Sequence, residues 1–333
     1  MKLFSTNTYY VPQDLSSITQ AKHEVSAELG GMTEQQVQKI WQSIESLYKS
    51  GNHPLISLCI RRKGQIIINR SIGYQHAVTK NQSTDDAVIA NPDTPICLFS
   101  ASKIVNAMLV HLLNQQGKIN LLDPVSHYIP EFAANGKRRA TIFHLLSHRG
   151  GIPNIETEVT PELLFDREQI LKLLYAAKPI SYSGNQLAYH AVTAGYILGE
   201  LVERVTGQDI RQFLHENIEN PMEMDFFNYG LKPEYRDQVA TNYPTGMHPK
   251  LGTDLYLNRV LGGGLKLAVD VTNDPRFMDT VCPAGNIYTS AEQANRFFEM
   301  LLNGGNYKGK QILNPETVFR STLPTSKTTI DRN

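Results

Sequence analysis

Apolar residues recur at helical spacing through Val37, Ile40, Trp41, Ile44 and Leu47, which predicts an amphipathic helix over 34–49 packed on a larger body. Thr33 followed by Gln36 is a capping-box pair at its start. Two nearly continuous apolar runs follow, 55–60 and 65–69, separated by Arg61-Arg62-Lys63-Gly64. They predict a β-hairpin turned by Gly64 and covered on both faces. The stretch from about 101 to 116 is apolar nearly all round (Val105, Met108, Leu109, Val110, Leu112, Leu113) and stops at Gly117, the pattern of a central, buried helix. Further helices are predicted at 162–176, 190–205 and 208–218, with a loop-rich stretch over 220–280. Ala291 to Leu302 is predicted as a last helix, capped by Thr289-Ser290 and closed by Gly304-Gly305. Residues 1–32 show no clear period and read as an irregular arm.

Composition narrows the function. At 333 residues with 41% hydrophobic and 19% charged content, the chain can bury a substantial core. Its 32 basic and 32 acidic residues cancel. That leaves no electrostatic footprint for nucleic acid and no basic run for a membrane surface, so the expected partner is a small molecule. The amino terminus has no apolar core of an export signal, and no run reaches the roughly 18 apolar residues of a membrane span. Cys59, Cys97 and Cys282 are far apart and lack metal-ligand spacing. Together these features predict a cytoplasmic protein without disulfides.

Candidate chemistry begins with Ser-x-x-Lys, which occurs as Ser46…Lys49 and as Ser100…Lys103. The pattern alone is weak; its context is informative. Ser46 falls near the end of the amphipathic helix, where Ser and Lys simply face water. Ser100 opens the buried helix, and the three-residue offset puts Lys103 on the same face. Burial favours the unprotonated amine of such a lysine, which could take a serine proton, and helix-terminal N–H groups favour a developing oxyanion. A capping serine with a snorkelling lysine fits the same residues.

Several segments together resemble the class C β-lactamases and the related family VIII carboxylesterases, within the serine β-lactamase and penicillin-binding-protein superfamily. Leu98-Phe99-Ser100-Ala101-Ser102-Lys103 resembles the first motif of that family. The stretches 121–125 and 128–132, 141–153 (with Leu146-Ser147-His148-Arg149-Gly150-Gly151-Ile152-Pro153), 284–292 and 300–305 are similar to later family segments, in the right order. The resemblance implies an α+β fold: an antiparallel sheet flanked by helices, with an inserted, mainly helical domain. Residues 1–115 and 280–333 would form the sheet domain, 116–279 the helical one, and the active site would lie in the cleft between them.

The family's second motif is Tyr-x-Asn, and the resemblance gives its tyrosine a share in the nucleophile's proton network. Tyr189 matches the tyrosine, while Ala191 stands where asparagine is usual. Tyr-His variants are more at home among the esterases. Tyr182-Ser183-Gly184-Asn185 competes for the role; Tyr189 fits better by its distance to the Leu198-Gly199-Glu200 helix. The third motif, whose strand supplies the second oxyanion-hole N–H, is not found. Ser326-Lys327-Thr328-Thr329 lacks its glycine and its apolar context. The resemblance therefore implies further strands that complete the sheet begun by residues 55–69, and the chain is expected to be an incomplete catalytic domain.

The expected activity is acyl transfer to Ser100 with Lys103 and Tyr189, on a small ester or amide, with no cofactor and no metal. A carboxylesterase is the first reading. A β-lactamase or D,D-peptidase is the second, and a catalytically inactive binding module of the same fold is the third. His144 and His148 are four apart but have no third ligand in view. Gly262-Gly263-Gly264 does not have the setting of a phosphate cradle.

Overall fold

The computed structural model describes residues 9–79, 81–155, 160–182, 184–245, 264–325 and 330–331. In chain order the principal elements are β1 (Thr19–Ala21), α1 (Glu34–Tyr48), β2 (Leu55–Arg62), β3 (Gln65–Gly73) and β4 (Ile96–Cys97). Then come α2 (Ser102–Gln115), α3 (Arg167–Ala176), α4 (Thr193–Thr206) and α5 (Leu265–Thr272). The last are β5 (Ile287–Thr289), α6 (Ala291–Leu302) and α7 (Pro315–Ser321). Gly262-Gly263 and Ser326-Lys327-Thr328-Thr329 lie outside the described residues. The chain divides into two compact units, one of Met1–Cys97, Lys232–Pro249 and Tyr288–Leu302, the other of Leu98–Leu231, Lys250–Ile287 and Asn303–Asn333. These bounds place α2, with Ser100 and Lys103 at its start, among the helices of the larger unit and not with the hairpin.

The first unit is a sheet with helices on it. Thr33 and Gln36 close both bonds of the capping box that starts α1. From α1, Val37, Trp41 and Tyr48 pack with Ile67, Ile68 and Ile72 of β3 in one apolar core, while Leu47 of the same stripe is exposed. β2 and β3 pair antiparallel through a two-residue turn in which Lys63 and Gly64 both have positive φ, 52° and 75°. Such a turn matches the strand twist. Gly73 is obligatory where β3 ends: at φ 117°, an added Cβ would meet the Pro54 carbonyl oxygen at 2.2 Å. The expected irregular arm is in part a strand, for β1 pairs along β3 from Thr19↔Ile72 to Ala21↔Arg70. The other edge of β2 carries no strand among the described residues. α6 packs on β2, where Arg61 is paired with Glu292 and Glu299.

The larger unit is mainly helical. α2 buries Val105, Leu109, Val110 and Leu113 and packs against α4, which is buried from Thr193 to Val202. Asn106 of α2 donates to the Gly195 carbonyl of α4 at 3.2 Å. Gly195 is required there: a Cβ would lie 2.6 Å from the Cβ of Ala284. The predicted helix 162–176 is two, Pro161–Phe165 and α3, because Asp166 leaves helical geometry to cap α3 through Gln169 N–H. Lys137 is fully buried; its ammonium donates to the carbonyls of Ala134, Tyr175 and Ala177, holding the carboxyl end of α3. That is where a helix dipole favours a cation. Among the described residues no helix is long and apolar enough to cross a membrane.

Candidate active site

The site is built in the larger unit at the start of α2. Leu98 N–H donates to the Ile287 carbonyl at 2.8 Å, and Phe99 then takes a left-handed conformation, φ 46°. That conformation is costly for a bulky side chain and is found where a site over-determines the backbone. A short 3₁₀ turn, Phe99–Ala101, leads into α2 and leaves Ser100 exposed at the helix entrance. Ser102, the next serine, is fully buried, and its Oγ accepts Ile287 N–H at 3.0 Å. It anchors α2 and takes no part in the surface chemistry.

Lys103 Nζ lies 2.9 Å from Ser100 Oγ and donates to the Ala284 carbonyl at 3.0 Å. It also sits over the ring of Tyr189, 5.2 Å from the centroid. Tyr189 Oη is 3.0 Å from the same Ser100 Oγ. The three residues singled out from the sequence thus converge on one hydroxyl. Tyr182, the competing tyrosine, is 81% exposed, and Ser183 beside it lies outside the described residues. The other Ser-x-x-Lys pair does not assemble: Ser46 donates to its own helix, to the Gln42 carbonyl.

Tyr189 sits in a non-helical segment before α4, so the predicted helix 190–205 starts three residues late, at Thr193. Two histidines hold that segment. His148, itself left-handed at φ 56°, accepts the backbone N–H of His190 on Nδ1 at 3.1 Å, and its ring lies 4.9 Å from that of Tyr189. His190 is fully buried; its Nδ1 faces the Ala188 carbonyl at 2.6 Å and its Nε2 accepts Ile152 N–H at 3.2 Å. One ring nitrogen must donate and the other must accept, which defines the neutral tautomer. Burial pushes both imidazoles down to about 4, with Lys103 adding to the effect at His148. Asp331 accepts Tyr189 N–H at 3.2 Å.

Sequence reading did not assign these supporting roles. The spacing of His148 from His144 is that of a metal pair, yet His144 Nδ1 accepts Thr141 N–H within its own capping box. Among the described residues no group of three or more His, Cys, Asp or Glu side chains is arranged to hold a metal. The signal for His148 was its place in the family-like segment 141–153. Nothing in the sequence pointed to Asp331.

The chain belongs to the beta-lactamase family, whose profile matches residues 35–333. A relative is the "Esterase/beta-lactamase LipL" of Mycobacterium tuberculosis (strain ATCC 25618 / H37Rv), 28% identical over 258 residues, which are 72% of this chain and 58% of that protein. The chain thus spans little more than half the length of that relative. Among solved structures, a family VIII carboxylesterase superposes with a TM-score of 0.73 at 26% identity, over 85% of this chain and 74% of that one. A penicillin-binding-protein homologue from Caulobacter crescentus superposes with a TM-score of 0.73 at 24% identity, over 87% of this chain and 76% of that one. The fold is the β-lactamase-like fold of these proteins, with small antiparallel sheets among helices. The family and its neighbours are hydrolases: esterases, β-lactamases and peptidases.

Proposed function

We propose that the protein is a serine hydrolase working through an acyl-enzyme, with Ser100 as nucleophile, and that its substrates are carboxylic esters. The observation that carries this reading is the placement of Lys103 Nζ and Tyr189 Oη at 2.9 and 3.0 Å from Ser100 Oγ, within the reach a general base needs. The Lys103–Tyr189 pair takes the Ser100 proton as Oγ bonds to the substrate carbonyl carbon. The same proton passes to the leaving alkoxide as the ester C–O bond breaks. Water then attacks the acyl-enzyme, gives a proton to the lysine–tyrosine pair, and releases the acid while Ser100 recovers its hydrogen. The Ser100 amide at the helix entrance would donate to the oxyanion. None of these steps requires a metal or cofactor.

Ala191 supports esters over β-lactams and peptides. It stands where the family's asparagine is usual, so this wall offers a methyl group in place of an amide. The same proton network would also serve β-lactam hydrolysis, and the LipL relative carries both activities in its name. Side-by-side turnover of a chromogenic short-chain ester and a chromogenic cephalosporin tests the choice. Ester turnover that disappears in Ser100→Ala supports the proposal. Cephalosporin turnover alone favours the second reading, and neither activity favours a binding module. We propose a reducing, cytoplasmic setting on the wide sequence spacing of Cys59, Cys97 and Cys282.

A further inference from the structure

A cavity of about 120 Å³ opens beside Ser100, and none of the thirteen described residues that line it carries a charge. Its walls are Phe99, Leu164, Val192, Leu267, Val271 and Phe277. Of its polar groups, Thr272 spends its hydroxyl on the Val269 carbonyl, and burial pushes the Cys282 thiol up, keeping it neutral. Ala191 also lines the cavity, so the residue that departs from the family pattern supplies apolar wall. Phe99 and Leu267 are 39% and 37% exposed. Two large apolar side chains therefore meet water beside a candidate nucleophile, as expected of a site that an apolar ligand covers.

From this placement we infer that the cavity is the acyl-chain subsite, and that the preferred substrates are esters of unbranched, uncharged aliphatic acids several carbons long. The inference rests on the acyl-enzyme reading, because an acyl group bonded to Ser100 Oγ extends into whatever space adjoins that atom. Burying each added methylene is worth about a fourfold gain until the cavity is filled. A terminal carboxylate on the chain would be buried without a partner and is disfavoured. Ala268 lines the cavity from α5 and is only partly buried, so a larger side chain there would take up part of its space.

The test uses p-nitrophenyl esters from acetyl to decanoyl, with a second series of acetate esters of lengthening alcohols. The expected kcat/KM rises about fourfold per acyl methylene and then levels, while the alcohol series stays nearly flat. The glutarate half-ester should fall below the pentanoyl ester, its uncharged analogue of equal chain length, by roughly 10²-fold or more. Ala268→Phe should move the optimum toward shorter acyl chains, and the milder Ala268→Leu should do so to a lesser degree. A flat acyl series, a length dependence confined to the alcohol series, or an unmoved optimum in both Ala268 variants overturns the inference. Calorimetry of butanoate, hexanoate and octanoate binding to Ser100→Ala separates the two readings. Affinity that grows with length and weakens in an added Ala268→Phe supports the cavity even where no ester is turned over. Length-independent affinity counts against it even where esters are cleaved.

Discussion

Nδ1 of His148 accepts the main-chain N–H of His190 at 3.1 Å, one residue beyond the tyrosine whose hydroxyl reaches Ser100. The contact requires an unprotonated nitrogen, so the backbone that carries Tyr189 is held by a neutral imidazole. His190 is held neutral in turn by a carbonyl on one nitrogen and an N–H on the other.

Acid should therefore loosen the fold. An unfolded histidine titrates near 6.5, and these two are pushed to about 4 in the fold. Between those values the unfolded chain binds protons that the folded one does not, so stability rises with pH. The contribution is complete above about pH 6.5 and is lost as pH falls toward 4, at up to about 3 kcal/mol per histidine. Lys103 nearby opposes protonation of His148 and Asp331 favours it. Urea midpoints should drop steadily from pH 7 to pH 5, and less steeply in His148→Gln. A midpoint unchanged over that range contradicts the assignment.

Tyr189→Phe removes one hydroxyl at the edge of the site. The melting temperature should change little while ester turnover falls roughly 10²-fold. Tyr182→Phe, altering a side chain that is 81% exposed, should leave turnover near wild type. Steady-state kinetics of both variants decide it, and the reverse pattern would reassign the second motif.

Gly195 links packing to chemistry. A methyl group there would meet Ala284 at 2.6 Å, and the Ala284 carbonyl takes a hydrogen bond from Lys103. Gly195→Ala should cost about 1–3 kcal/mol as an overpacked contact and lower kcat by about tenfold through displacement of Lys103. Lost stability with unchanged kcat would show that the Ala284 segment does not position the lysine.

Lys137 is a structural cation whose ammonium donates to three main-chain carbonyls. Lys137→Met keeps the apolar stem but leaves the carbonyls of Ala134, Tyr175 and Ala177 without their donor. Chemical denaturation should show a loss of about 3 kcal/mol, with kcat for ester hydrolysis retained in the folded fraction.

Long periodic elements are legible in the sequence. The capping box and apolar stripe located α1, the all-round apolar run located α2, and 291–302 agrees with α6 to the residue. Pairings between distant segments are not. β1 is three residues long, and β4 meets β5 through two residue pairs, too short to impose a period of their own. Helix 162–176 was over-extended because Asp166 interrupts the backbone without interrupting the apolar pattern. At the site, Ser100 and Lys103 were readable because they are three apart on one helix. Tyr189 needed the family pattern to be found. His148 and Asp331 act through backbone hydrogen bonds to a segment far away in sequence, which no local spacing encodes.

The claim that Ser100 is the acylated residue is tested most directly by mass spectrometry after reaction with a fluorophosphonate. One adduct per chain should form on the peptide containing Ser100 and be absent in Ser100→Ala. Labelling that persists in the Ala variant, or that maps to Ser46, contradicts the account.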